Sequence, residues 1–214
     1  LDDEAASGAS RQGGTMRPGG TVRPGGRTAR VRASVLRAAG DALVERGLGA
    51  LDLADVARQA GVGKTTVYRR WGTVAVLMAD MLAEMAEHSA PRSDTGSLLG
   101  DLTANADLVR RTLCDPRQGA LFAALIAAAT ADERTARELR GFYDARIAEW
   151  APCVSRAMDR GEVPAGTSPQ EVIRAVSAPL YYRLLTVGEP PDAAAAAQAA
   201  RAAAVAAAAG VYIR

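Results

Sequence analysis

Histidine occurs once, at His88, and cysteine twice, at Cys114 and Cys153, in a chain of 214 residues. One histidine cannot supply the clusters that metalloenzymes and histidine-dependent hydrolases use, and two distant cysteines give neither a metal-ligand spacing nor a disulfide framework. No metal, no cofactor and no catalytic set is therefore expected, and the protein does not read as an enzyme. Both thiols are expected to be buried, a redox role being the alternative. His88 reads as a solvated or capping side chain at the end of a helix. Aromatic residues make up only 4% of the chain while alanine is abundant, a balance that favours helix over strand. Nothing from residue 28 onward alternates with period two over a useful length, so no sheet is expected. Also missing is a run of ~20 apolar residues able to span a bilayer. The alanine-rich stretch 193–209 comes nearest, and Gln198 and Arg201 interrupt it. The acidic, glycine-rich beginning lacks the basic-then-apolar order of a signal peptide. These absences together predict a soluble, cytoplasmic, all-α protein.

What is present is unevenly distributed. The formal net charge is only +2, yet residues 11–72 hold twelve Lys or Arg against Asp41, Glu45, Asp52 and Asp55. The remainder is net acidic, so a polyanionic partner is expected for this one segment. Residues 1–27 carry Gly, Ser, Thr, Pro and Arg with few apolar side chains, and read as a disordered basic tail. Within it TMRPGG (15–20) is followed directly by TVRPGG (21–26), spacing Arg17, Arg23 and Arg27 regularly. Either this is a flexible linker or it is a basic arm that reaches DNA phosphates or a minor groove.

From Thr28 the pattern becomes helical. Val31, Val35, Ala39, Ala42 and Leu43 share one face, and Gly47 stands where the helix should stop. Asp52 can cap a second helix running to about Ala60, with Leu53, Val56 and Ala57 inward. Gly61-Val62-Gly63 breaks it, a short helix spans Lys64 to Trp71, and a fourth begins after Gly72-Thr73 with Leu77, Met78, Met81, Leu82 and Met85 on one side. Residues 28–88 thus read as a helix-turn-helix domain with its connecting helix. Ala57 is small where two helices must cross, Gly61 supplies the turn, and Val62 and Val67 fill the angle between them. Such a unit aims the start of its second helix into the major groove. There Lys64, Thr65, Thr66, Tyr68, Arg69 and Arg70 offer groups suited to base edges and phosphates.

The segment ADVARQAGVGKTTVYRRW resembles the recognition unit of the TetR family of bacterial transcriptional regulators, in its A-G-V turn and in the ending Thr66-Val67-Tyr68-Arg69-Arg70-Trp71. The resemblance implies an N-terminal three-helix head and a larger helical body for effector binding and dimerisation. It implies base contacts by Lys64, Thr65 and Arg69, and backbone contacts by Thr66, Tyr68 and Arg70. Two positions depart from the family pattern. Thr73 and Val74 stand where many members have a serine-lysine pair whose lysine grips a phosphate. Asp52 stands where a threonine often caps the second helix, and its charge faces phosphate unfavourably unless the helix amides absorb it. The same GVGKTT stretch also looks like the end of a phosphate-binding loop. That motif would need glycine at position 58, where Arg58 stands, and a preceding strand rather than a capped helix.

Residues 89–214 read as the body, with helices at about 97–114, 117–130, 132–160, 168–187 and 191–209 and a joint at Pro91 to Gly96. Gly161 to Thr167 is the clearest loop. Asp132, Glu133 and Glu138 alternate with Arg134, Arg137 and Arg140, an ordinary charged helix face rather than an acid/base pair. Phe122, Ile126, Phe142, Trp150, Tyr181 and Tyr182 are large groups among small ones and are the candidates for an effector pocket; the alternative is plain core. The last two helices, including the APLYYRLL segment (178–185), are the candidates for a dimer interface through Leu180, Leu184, Val187 and Val205; the alternative is packing within the chain. The resulting expectation is a homodimeric repressor that binds a palindromic double-stranded DNA operator and is released by a small molecule. A DNA-binding module without an effector is the second expectation.

Overall fold

The computed structural model describes residues 26–87 and 93–214. The tail through residue 25, with Arg17 and Arg23, lies outside the described residues, as do His88 and Pro91. The described residues form nine α-helices in order: α1 Arg27–Arg46, α2 Leu53–Gln59, α3 Lys64–Arg70, α4 Val74–Glu87, α5 Leu98–Cys114, α6 Pro116–Ala131, α7 Glu133–Asp159, α8 Pro169–Tyr182 and α9 Ala193–Ala208. The described residues contain no sheet, only an isolated antiparallel bridge between Thr167 and Ile213.

Local chemistry sets most helix starts. The side chains of Asp52, Ser97, Asp115, Asp132, Ser168 and Asp192 each accept a hydrogen bond from a backbone N–H in the first turn of the helix they precede, satisfying donors that helical geometry leaves orphaned. Pro116 and Pro169 open α6 and α8 where a missing N–H costs nothing. Two features are not evident in the periodicity. Leu48–Ala50 forms a 3-10 turn after α1, and the segment expected to stay helical to 187 becomes a π-helical turn over Arg183–Val187. Pro179 lies inside α8, four residues before that turn. Its absent N–H removes one bond to the preceding turn, yet α geometry holds through Tyr182, and the helix widens only over the last five residues before Gly188.

Two apolar cores result. The first joins α1, α2, α3 and α4 through Val35, Leu43, Val56, Val67, Trp71 and Met78, and extends into the body at Leu121, Leu125 and Leu139. The head is therefore continuous with α6 and α7 rather than tethered to them. Arg117 of α6 adds polar contacts across this seam, with an ion pair to Asp41 and a hydrogen bond to the Arg37 carbonyl (3.1 Å). The second core gathers α5, α7, α8 and α9 around Leu102, Val154, Val172, Val176 and Leu180.

That second core corrects part of the interface expectation. Leu180 is fully buried within the protomer and is unavailable to a second copy. Ala196, Ala199, Ala200, Ala203 and Ala207 of α9 are also buried in the chain's own core, so small side chains bring α9 close to α5 and α8. Leu184 is half-buried against the same core, whereas Val187 and Val205 are exposed. The cysteines divide as well. Cys153 is buried, and burial, followed by the charge of Asp101, pushes its thiol up to about 11. Cys114 is exposed rather than buried, because it ends α5 at the surface, where its thiol donates to the Pro191 carbonyl at 3.2 Å.

Candidate nucleic-acid interface and body cavity

The turn between α2 and α3 is built from small residues. Gly61 adopts φ of 65°, a left-handed conformation that costs a side-chain-bearing residue about 1 kcal/mol or more. Gly63 precedes α3 in an extended conformation. The Val62 amide donates to the Ala57 carbonyl (2.9 Å), closing the turn onto the end of α2. Val56, Ala57 and Val67 are fully buried at the crossing. Burying a valine of this kind stabilises by about 1.5–3 kcal/mol, and here the burial fixes the rotation of α3 about its own axis.

With Val67 and Trp71 turned inward, the opposite face of α3 is set. Lys64, Thr65, Tyr68, Arg69 and Arg70 are exposed and Thr66 is half-buried. Lys64 and Arg69 make no ion pair among the described residues. Arg70 differs from them. Its guanidinium lies 5.1 Å from the centre of the Trp71 ring and 4.0 Å from Asp80, so it is held toward α4 rather than standing clear.

Asp80 is the node that fixes the end of α3. Its carboxylate accepts from the Trp71 indole N–H (2.9 Å) and from Arg32 Nε of α1 (2.9 Å), and Arg32 also donates to the Asp80 carbonyl. Burial pushes the Asp80 carboxyl up, but the hydrogen bonds from Arg32 and Trp71 and the charges of Arg32 and Arg70 outweigh it and leave it below the usual carboxylate range. Sequence reasoning missed both Asp80 and Arg32. The available signal was one acid of three, with Glu84 and Glu87, on a mostly apolar α4, which is a weak one.

The two departures noted in the sequence have structural answers. Asp52 Oδ1 accepts from the amides of Ala54 (2.8 Å) and Asp55 (3.0 Å), so its charge is engaged by the start of α2. Thr73 accepts from the Val76 amide with its hydroxyl, serving α4 as a cap.

In the body, α5, α6, α7 and α8 line a partly open cavity of about 980 Å³ with Met85 of α4 at its wall. Phe122, Ile126, Phe142, Trp150 and Tyr181 line it. Tyr182 does not: it is 60% exposed, because the residue after Tyr181 faces away from the bundle. Four rings meet at one wall. Phe122 and Phe142 lie 5.7 Å apart, Phe142 and Tyr143 5.4 Å, Tyr143 and Tyr181 5.7 Å, and Tyr181 and Phe122 6.4 Å. Tilted and edge-on pairs of this kind add about 0.5–1.5 kcal/mol each beyond their burial. Burial pushes both tyrosine hydroxyls up, so they stay protonated at neutral pH. Asn105, Tyr143 and Arg146 also line the cavity and were missed from sequence. Asn105 had a signal, as a polar residue on the apolar stripe of α5 formed by Leu98, Leu102 and Ala106.

Among the described residues no cluster of metal-binding side chains is found, and no helix is long and apolar enough to cross a membrane.

Comparison with known proteins gives a consistent result. Residues 35–81 match the family described as bacterial regulatory proteins, tetR family, and residues 92–203 match the tetracyclin repressor-like C-terminal domain. The chain is 31% identical over 157 residues to the uncharacterized HTH-type transcriptional regulator YdeS of Bacillus subtilis, covering 73% of this chain and 79% of that one. It is 32% identical over 164 residues to the DNA-binding transcriptional repressor TetR of Mycobacteroides abscessus, covering 76% and 85%. Among solved structures it resembles the TetR family transcription regulator SCO0332, with 29% identity, a TM-score of 0.63, and 82% and 97% of the two chains covered.

Proposed function

The chain belongs to the TetR family of DNA-binding transcriptional regulators, not to a class of enzymes, and from that premise we propose that it is a homodimeric repressor, released from a palindromic operator by a small molecule. The observation that carries this reading is the exposed face of α3. Lys64, Thr65, Tyr68 and Arg69 are exposed, the two cations without an ion pair among the described residues, on a helix whose rotation is set by buried Val67 and Trp71. Lys64 and Arg69 suit guanine edges, Thr65 a thymine methyl or a base edge, and Thr66, Tyr68 and Arg70 the phosphates.

One head presents one recognition helix, so a two-fold pair reading half-sites about 34 Å or a multiple apart accounts for an operator of useful length. Exposed Val187 and Val205, with half-buried Leu184, support the last two helices as the meeting face. The cavity supports an effector over a module without one. Met85 belongs both to its wall and to α4, the helix that carries Asp80 and so reaches α3. A ligand that prefers one arrangement of α4 would shift the head, by its differential affinity for the two states.

Selection from a random duplex pool with the intact protein tests the central claim. An enriched palindrome is expected, and Arg69→Ala should relax preference at one or two positions per half-site, while Tyr68→Phe should weaken all sequences alike. Recovery of no enriched palindrome would overturn the proposal.

A further inference from the structure

The cavity's polar groups carry information about what it holds. Three arginines line it, and each already meets an acid of the chain: Arg146 with Glu149 (2.7 Å), Arg111 with Asp107 (3.2 Å) and Arg174 with Glu171 (2.8 Å). Asp115, the carboxylate in the lining, accepts from the amides of Arg117 and Gln118 at the start of α6. An anion entering here would lose its hydration and compete with the acid already paired to each arginine, so the arginines favour it less than unpaired ones would.

Two neutral groups are in the opposite condition. Asn105 is 4% exposed and its Oδ1 has no hydrogen-bond partner among the described residues, and the Tyr143 hydroxyl, also buried, faces the Tyr181 hydroxyl without closing a well-formed hydrogen bond to it. Both residues line the cavity. Buried polar atoms are almost always paired, and an orphan next to empty space is most simply completed by what fills that space. Asn105 Oδ1 needs a donor, while Tyr143, kept protonated by its burial, supplies one. Beside them stands the wall of Phe122, Phe142, Tyr143 and Tyr181 rings, whose faces and edges favour another aromatic surface. A volume of about 980 Å³ leaves room for fused or linked rings.

We propose that the cavity takes an uncharged aromatic molecule bearing a hydrogen-bond donor for Asn105 Oδ1 and an acceptor for the Tyr143 hydroxyl. The claim rests on the effector reading only for its consequence at DNA, since binding itself is measured separately. Three probes of nearly one shape separate the contributions: 2-naphthamide has donor and acceptor without charge, 2-naphthoate is an anion, and 2-methylnaphthalene has neither polar group.

Each probe is titrated into the full chain by calorimetry, with tryptophan fluorescence, read in a Trp71→Phe background so that it reports Trp150, as a second readout. 2-Naphthamide should bind at least about tenfold tighter than 2-naphthoate. Tyr143→Phe and Asn105→Leu should each weaken the amide by about fivefold, the scale of one neutral hydrogen bond, and leave 2-methylnaphthalene unchanged, which also shows that the variants fold. Equal or tighter binding of the naphthoate, equal losses for both neutral probes, or no binding of the amide would overturn the proposal. Release of the selected operator duplex is scored apart: binding of the amide without release supports the ligand class and overturns the effector reading.

Discussion

Asp80 is the residue on which the end of the recognition helix depends. One carboxylate holds an arginine of α1 and the indole of Trp71, and Arg70 stacks over that same indole. Asp80→Asn keeps an acceptor for the indole and removes the charge that Arg32 and Arg70 face. At neutral pH the variant should lose about 1–2 kcal/mol in urea unfolding, the partly exposed setting keeping the loss below that of a buried pair. The acid dependence follows from the lowered value of Asp80 in the folded state. Its contribution is fully present above the unfolded value near ~4 and is lost as pH falls through the lower folded value. Wild type and Asp80→Asn should therefore converge in stability on acidification below about pH 4. The exposed candidates on α3 were legible in the sequence because their identity and spacing state what they can touch. Asp80 and Arg32 were not, because their meeting joins positions on different helices that share no sequence pattern.

The second and sixth helices show how an element's ends carry more than its middle. The cap of α2 is an aspartate whose charge is engaged by two amides, on the side where the family's heads meet phosphate. Asp52→Thr should retain a cap with a stability loss of about 1 kcal/mol or less. It should also raise operator affinity by about two- to fivefold at low salt, an advantage that fades as salt screens the removed charge. Gel-shift titrations at two ionic strengths, beside thermal melts, check both halves. In α6 the constraint is steric. A side chain at Gly119 would collide with the Leu113 carbonyl where α5 turns into α6. Alanine there gains helix propensity of up to about 1 kcal/mol, yet overpacking against backbone costs about 1–3 kcal/mol. Gly119→Ala should therefore lower the melting temperature, and a rise would show that the helices can part. The caps were readable from sequence only where an Asp or Ser precedes an apolar periodic run, as at Asp52. The π-helical turn after Pro179 was not, because a helix interrupted by proline either ends or bends according to what packs on it.

On the scale of the whole molecule, one apolar core runs from α1 through α4 into α6 and α7, so the head and the cavity wall share packed side chains. The second core uses the alanine face of α9 internally, leaving Val205 on the opposite face at 69% exposed, with Val187 and Tyr182 exposed nearby in sequence on the end of α8 and its π-helical turn. On the dimer proposal, Val205→Arg should convert the protein to monomers in sedimentation and reduce operator affinity by more than tenfold, because each monomer grips only one half-site. Its unfolding at high denaturant should stay cooperative, since Val205 takes no part in either core. A variant that remains dimeric would move the interface elsewhere.

The sequence by itself determined the helical class, the place of the helix-turn-helix unit and the residues on its outward face. These follow from local periodicity, from a turn that only small residues permit, and from side-chain chemistry carried by each residue alone. Only the tertiary structure decided that Leu180 and the alanines of α9 lie inside the protomer, that Tyr181 faces the cavity while Tyr182 faces outward, and that Cys114 reaches the surface. It alone brought Asp80 to Trp71 and Asn105 and Tyr143 to one cavity. A helical pattern states which residues share a face; which neighbour covers that face is settled by how whole helices pack, and no local stretch of chain encodes it.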